Sequence, residues 1–321
     1  MTAVLTRAQW LAFDRLNPAP TFFARPAWAQ ALADAMPGTV PAPLRVEAGS
    51  DSFLLPLVRP PRGRMPFREY VGFPLGGYTC VLDANGRPAP LSSALAVVTQ
   101  VADQADHLRL YPWPLGPAYA PERALQRAHE TAVIDCSRGF AHAVAGMRGV
   151  TRRMAEQANR RGVVCARAEI RELPDYYDLL EAASREWPAG RPSTSYVLLK
   201  RVLEQGGDDA QLWFAYAGGR RIAGGIVLFG SDELFFWSAA MDRNASAYRP
   251  SNALNVALIR AACERGVHWY NLGASEAIPG LERFKHDLGA QTIPYREVRT
   301  RSRAFLWYER ARTALRYGRA C

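Results

Sequence analysis

Of the forty lysines and arginines in this 321-residue chain, only Lys200 and Lys285 are lysines. In so arginine-biased a sequence, a retained lysine is a compact point charge or an amine, where a guanidinium would be a planar fork. Lys285 reads equally well as a surface residue on this ground alone. It lies in the segment Gly280–Leu288, between Phe284 and His286 and two residues after Arg283. His286 is either a base beside the lysine or a solvated histidine. Upstream, Tyr248 and Arg249 occupy the loop RNASAYRPSN, which enters a helix at Ala253. Backbone amides point outward at a helix N-terminus, so such a loop is a natural place for an anion. A third constellation is MRGVTRRMAEQANRRG, where Arg148, Arg152, Arg153, Arg160 and Arg161 crowd one helix. Guanidinium forks match phosphate oxygens, but the same arginines also suit a solvated face paired with Glu156.

Metal and dinucleotide chemistry find no support. The five histidines, His107, His129, His142, His268 and His286, show no metal-ligand spacing. Gly72, Gly76 and Gly77 in VGFPLGGYTC lack the GxGxxG order and read as a tight turn. Cys80, Cys136, Cys165, Cys263 and Cys321 are odd in number and scattered, so they read as reduced thiols, mostly buried. The tryptophans read mainly as core.

The elements that must position these groups follow from periodicity. Ala253, Leu254, Ala257, Leu258, Ala261 and Ala262 recur at helical spacing, Arg265-Gly266 closes that helix, and Val267–Leu272 is short and apolar as a buried strand is. The pattern predicts helices at Thr6–Leu16, Arg25–Met36, Leu91–Ala105, Asp175–Arg185 and Tyr196–Glu204. It predicts strands at Leu44–Val46, Ser52–Val58, Arg68–Phe73, His107–Tyr111, Val163–Ile170 and Leu234–Met241. Gln211–Tyr216 and Arg221–Phe229, joined by AGGR, predict a hairpin.

Length favours two domains, and the element order recurs, so we expect two copies of one mixed α/β domain at 1–138 and 139–321. Hydrophobic residues at 49% and charged ones at 22% are the balance of an ordinary soluble globular protein. No window has the apolar length of a membrane span, and the N-terminus lacks the layout of a secretory signal, so cytoplasmic residence is expected. The net charge is +10, with eight arginines against Glu297 and Glu309 from Arg296 onward. That tail, with Phe305, Leu306, Trp307, Tyr308 and Leu315, reads as a basic helix with an aromatic side. It suits phosphate-rich ligands, transfer RNA or the acidic inner face of a membrane through Arg296 to Arg319, or it packs on the body and shows its arginines to water.

PSNALNVALIRAACERG, then YNLGAS, then RFKHDLGAQ, in a chain of doubled element order, resembles the FemAB-like branch of the GNAT acyltransferase superfamily. That branch includes peptidoglycan-bridge aminoacyltransferases and cellulose-biosynthesis-type acetyltransferases. The resemblance is best from Phe140 onward, and its sharpest element is Phe284-Lys285 with Gly289 four residues after the lysine. It implies two tandem GNAT-like domains, each a mixed, mostly antiparallel sheet flanked by helices. It also implies transfer of an acyl group, often from aminoacyl-tRNA, onto an amine of a nucleotide- or lipid-linked envelope precursor bound where the domains meet.

Acyl transfer to an amine passes through a tetrahedral oxyanion, and a fixed cation facing it is the strongest help a site offers. The resemblance puts the family's functional lysine at Lys285, as the catalytic group. Phe284, Arg283, Tyr248, Arg249, Arg152, Arg153, Tyr270 and Asn271 form the expected substrate-binding set, and no metal is expected. Acetyl-CoA enzymes use a glycine-rich loop to cradle pyrophosphate; RNASAYRPSN has no glycine, and Pro250 removes a donor, which favours aminoacyl-tRNA over acetyl-CoA. Two departures cut the other way: Trp28-Ala29-Gln30-Ala31-Leu32 lacks the lysine often found after the early tryptophan, and Asn271 replaces an acidic residue. An acyl-CoA-dependent N-acetyltransferase and a non-catalytic protein binding RNA or anionic lipid remain the rival readings.

Overall fold

The computed structural model describes residues 2–61, 66–73, 75–187, 189–275 and 278–317. The chain divides into two compact units, one made of Met1–Pro18, Phe23–His129 and Tyr295–Cys321, the other of Ala19–Phe22 and Glu130–Pro294. The sequence suggests a division at 138–139 and gives the last stretch to the second half. By compactness the division falls at His129–Glu130, and the last stretch belongs with the first unit.

The first unit opens with β1 (Thr2–Val4), α1 (Arg7–Leu16), α2 (Pro26–Ala35), β2 (Val40–Pro41), β3 (Leu44–Ala48), β4 (Asp51–Leu55), β5 (Val58–Arg59) and β6 (Glu69–Gly72). It continues with α3 (Leu91–Gln104), β7 (His107–Leu110) and the start of β8 (Leu125–Asp135). α1 begins at Thr6 because its hydroxyl accepts from the Gln9 amide while the Gln9 side chain accepts from the Thr6 amide, a reciprocal cap. α3 buries Ala94, Val97, Val98 and Val101, the i, i+3, i+4, i+7 stripe of an amphipathic helix, in a core with Leu108 and Leu110.

The second unit carries the rest of β8, then α4 (Phe140–Ala145), α5 (Gly149–Arg160), β9 (Val164–Ala168), α6 (Leu173–Ser184) and α7 (Tyr196–Gly206). There follow β10 (Ala210–Ala217), β11 (Arg220–Phe229), β12 (Glu233–Met241), α8 (Pro250–Glu264), β13 (Trp269–Asn271), α9 (Pro279–Asp287) and the start of β14 (Gln291–Arg301). Its strands are ordered β8-β13-β12-β11-β10-β9. Every neighbouring pair is antiparallel except β12 and β13, which α8 connects in parallel. The β10–β11 hairpin turns on Gly218 and Gly219, both at positive φ (55° and 77°), as a tight two-residue turn demands. Leu254, Leu258, Ile259 and Ala262 of α8 pack on Val227, Leu234 and Tyr270 in one core. The mixed, mostly antiparallel sheet with flanking helices is the fold class expected.

Besides the short β1 and β2, the strands β8 and β14 are absent from the sequence reading. β8 shows no alternation over its exposed first half, and only Ala132, Val133 and Ile134 are buried hydrophobics. β14 was read as part of a basic helix; instead Val298–Arg301 pair antiparallel with β7, and the helix, α10 (Arg303–Tyr317), starts after Ser302. Arg299 and Arg301 therefore belong to a strand, where they bond Glu297 and Glu309. Arg319, Cys321 and Pro74 of the PLGGYTC turn lie outside the described residues, as does the side chain of Arg316.

Candidate functional site

The parallel register of β12 and β13 is short. Glu233, Leu234 and Phe235 pair with Trp269, Tyr270 and Asn271, and there the register ends. β12 runs on to Met241 against β11 alone, while the chain leaving β13 turns away through Gly273 at φ 71°. On its other edge β12 carries one extra residue: Ile226 faces Ser238 and Val227 faces Phe236, so Trp237 is the bulge. Divergence on one side and a bulge on the other open a pocket of about 740 Å³, built entirely from the second unit. Trp187, Phe236, Trp237 and Phe284 give it an aromatic wall; Arg243, Arg249 and Asn255 border the end beside α8.

Lys285 lines this pocket and is 5% exposed. Its ammonium donates to the carbonyl oxygens of Gly273 and Ala274, at 2.9 and 2.7 Å, just past the end of β13. Two carbonyl oxygens thus hold the ammonium nitrogen at the pocket wall. The spacing from Lys285 to Gly289 has a physical reason. Gly289 closes α9 at φ 87°, and a Cβ there would lie 2.9 Å from the Gly146 carbonyl carbon and oxygen, so only glycine allows this approach. The end of α9 is also pinned by Arg148, whose amide donates to the Asp287 carbonyl and whose guanidinium donates to the Asp287 carboxylate at 2.9 Å.

Arg249 borders the pocket in a left-handed conformation (φ 56°, ψ 43°) at the cap of α8. Its carbonyl accepts the Asn252 and Ala253 amides at 3.2 Å, and Pro250 has no amide proton. The Asn252 and Ala253 amides of the first turn of α8 are thus engaged within the helix. Tyr248 is exposed and does not line the pocket.

Tyr270 and Asn271 take interior positions. The Tyr270 hydroxyl donates to Asn255 Oδ1 at 2.8 Å, and Asn255 Nδ2 donates to the Ser251 carbonyl, which ties β13 to the first turn of α8. Burial raises the Tyr270 phenol well above its ordinary range. Asn271 is fully buried; it donates to Glu233 Oε1 at 2.6 Å and accepts from the Thr131 hydroxyl and the Gly273 amide. Neither side chain lines the pocket.

Arg152 donates to the Ala145 carbonyl at 2.9 Å and borders a different groove, between α5 and α8; Arg153 is exposed on α5. Neither meets Lys285 at the pocket. Arg283 faces a smaller cavity of about 310 Å³ with Glu282 and His286, and Lys285 borders that cavity as well. Phe284 lines the main pocket. Asn252 and Asn255 were not anticipated as lining residues. Their signal was two asparagines three apart in an otherwise apolar helix, which packing alone does not call for.

Residues 145–286 match the family model described as an acetyltransferase (GNAT) domain. Comparison with curated proteins finds no match. Among solved structures, FemX is similar at 12% identity and TM-score 0.71, covering 96% of this chain and 99% of that one. The C-terminal domain of a putative lysylphosphatidylglycerol synthetase from Agrobacterium fabrum is similar at 13% identity and TM-score 0.55, covering 97% and 98%. A conserved protein of unknown function from Bacteroides thetaiotaomicron shows 12% identity and TM-score 0.61, covering 94% and 99%. At such identities the structural likeness speaks for the fold. Residues 145–286 thus match a GNAT acetyltransferase domain, in a chain whose fold is similar to that of FemX.

Proposed function

We propose that this protein is an acyltransferase that moves an aminoacyl group from aminoacyl-tRNA onto an amine of a nucleotide- or lipid-linked envelope precursor, in the cytoplasm. The observation that carries the reading is the Lys285 ammonium, held by two carbonyls at the wall of the pocket where β12 and β13 part. The acceptor nitrogen attacks the carbonyl carbon of the donor ester, the carbonyl oxygen takes up negative charge, and Lys285 faces that charge. Collapse breaks the bond to the donor oxygen, and the amine proton leaves with the departing group or to solvent. Phe284 and the aromatic wall hold the acyl portion. Arg249 offers a cation to a donor phosphate, with Tyr248 beside it, while Arg283 faces the side cavity where an acceptor anion fits. Tyr270 and Asn271 act by fixing the end of β13, and Arg152 and Arg153 offer charge to the nucleic-acid donor away from the reacting carbonyl.

The glycine-free entry to α8, where Pro250 has no amide proton and the Asn252 and Ala253 amides bond the Arg249 carbonyl, supports an aminoacyl-tRNA donor over coenzyme A. Two of the similar structures bear names tied to envelope aminoacyl chemistry, which agrees with that reading. The alternative is an acyl-CoA-dependent N-acetyltransferase, favoured by Arg243 and Arg249 at the pocket's α8 end, where a phosphate would meet them. The test offers charged bulk tRNA and acetyl-CoA in parallel to purified protein with a peptidoglycan precursor. Transfer from tRNA only is expected. Micromolar coenzyme A binding by calorimetry, with transfer from acetyl-CoA only, overturns the donor assignment.

A further inference from the structure

α10 has two faces of different chemistry, both described in the first unit. Its inner face is fastened. Phe305 is buried with its ring stacked on His107 at 4.6 Å and edge-on to Phe67 at 5.2 Å. Tyr308 also meets Phe67 at 5.2 Å, and Glu309 accepts from Arg301 at 2.8 Å. The helix is therefore held in one rotation, and what it shows outward is fixed. That outward stripe is Arg303, Trp307 and Arg310, at i, i+4 and i+7, whereas Arg312 lies on the other side of the helix, over the Tyr308 ring at 5.7 Å. Trp307 is 76% exposed, whereas Trp10, Trp28 and Trp113 are buried. Both arginines of the stripe are exposed, and among the described residues Arg303 and Arg310 make no ion pair. The one acid of the described helix, Glu309, is turned inward to Arg301, so the outer stripe is purely cationic around a bare indole.

We propose that this face docks the protein on an anionic lipid surface. An indole flanked by arginines at helical spacing matches the membrane interface, where the ring enters the headgroup region and guanidinium forks meet lipid phosphates. The charge complementarity is one-sided, since nothing acidic on the stripe would repel such a surface. Nucleic acid is the less suited partner: a lone indole on a convex helix offers no groove in which successive bases stack. The inference does not rest on the transfer reaction, because it concerns residues away from the Lys285 pocket. It would bring the protein to a lipid-borne substrate, but it stands or falls on adsorption alone. One helix face of this kind gives weak, salt-sensitive binding.

The experiment sediments the full chain with phosphatidylcholine vesicles, with and without phosphatidylglycerol, at low and high salt. Binding is expected only with phosphatidylglycerol and only at low salt. Replacing Arg303 and Arg310 together by serine should weaken it by roughly twenty-fivefold, at roughly fivefold per arginine. Trp307→Ala should weaken it by roughly tenfold, the cost of withholding an aromatic ring from an apolar phase. Trp307→Phe should retain most of the binding and abolish the blue shift of tryptophan emission that vesicles induce in the wild type. Because these side chains are exposed, thermal unfolding should match the wild type in every variant. Failure of the wild type to sediment with phosphatidylglycerol vesicles overturns the proposal. So does sedimentation to which Arg303, Arg310 and Trp307 are indifferent, or binding to bulk tRNA that vesicles do not compete and Trp307→Ala does not change.

Discussion

Lys285 and Asn271 both bond Gly273, the one at its carbonyl and the other at its amide, yet their substitution should fail in opposite ways. Lys285→Met keeps the buried stem and removes the charge, so turnover should fall by about 2 to 4 kcal/mol of barrier, as for loss of one oxyanion partner, with little change in KM. A folded Lys285→Met enzyme with wild-type kcat would remove the central role assigned here. Asn271→Ala should instead unfold the protein more readily, by about 1 to 3 kcal/mol with the charged partner toward the upper end. It takes a donor from the Glu233 carboxylate and an acceptor from the Thr131 hydroxyl. Urea denaturation separates the two outcomes. Residue identity drew notice to Lys285 in the sequence, because one of two lysines among thirty-eight arginines is visible in one dimension. It could not distinguish Tyr270 and Asn271 as interior groups, since whether a polar side chain at a strand end faces a cavity or a buried carboxylate depends on strands far away in sequence.

At the scale of elements, the pocket depends on how β11 and β12 misalign at Trp237. Gly225 lies on β11 opposite Ala239, and a Cβ there would come within 2.2 Å of the Phe236 ring and 2.7 Å of the Ser238 carbonyl oxygen. Gly225→Ala must therefore push an aromatic wall residue of the pocket, and the backbone contact leaves little room to yield. We expect destabilisation of about 1 to 3 kcal/mol from overpacking and a raised KM for the acyl donor, read by calorimetric melting and initial rates. An unchanged KM would mean that Phe236 does not shape the donor site. The regular elements of the second unit were legible because α8 and the β10–β11 hairpin declare themselves through apolar period and a Gly-Gly turn. The parting of β12 from β13 was not, because it depends on where a parallel register stops, and three paired residues leave no mark in either strand's own sequence. β14 was misread for a related reason: its arginines suggested a solvated helix, while their carboxylate partners, Glu297 and Glu309, become visible only when β7, β14 and α10 come together.

For the molecule as a whole, acid should act through two buried groups of the first unit, in separate pH windows. Burial, reinforced by Arg299, Arg301 and Arg109 against the opposing pull of Glu309, lowers His107 from 6.5 to about 4; Glu69 faces the same ring at 3.5 Å. The unfolded chain then takes up this proton before the folded one, so the associated stability is complete above pH 6.5 and drains as pH falls toward 4. Burial opposes ionisation of Glu297, which is 2% exposed, but hydrogen bonds from Arg109 and Arg299 outweigh it and bring the carboxyl from 4.5 to about 2. Its contribution is complete above pH 4.5 and is lost between there and 2. The net charge of +10 at neutrality grows in acid and adds repulsion across the whole range, but that term has no fixed midpoint. Urea midpoints measured at constant ionic strength should therefore fall in two steps. His107→Phe preserves stacking on Phe305 and should flatten the step between 6.5 and 4, leaving the lower one; Glu297→Gln should flatten the lower step at some cost in stability at pH 7, because Arg109 and Arg299 lose their carboxylate. A His107→Phe profile parallel to the wild type between pH 6.5 and 4 would show that the buried imidazole does not govern acid sensitivity, and that general charge repulsion does.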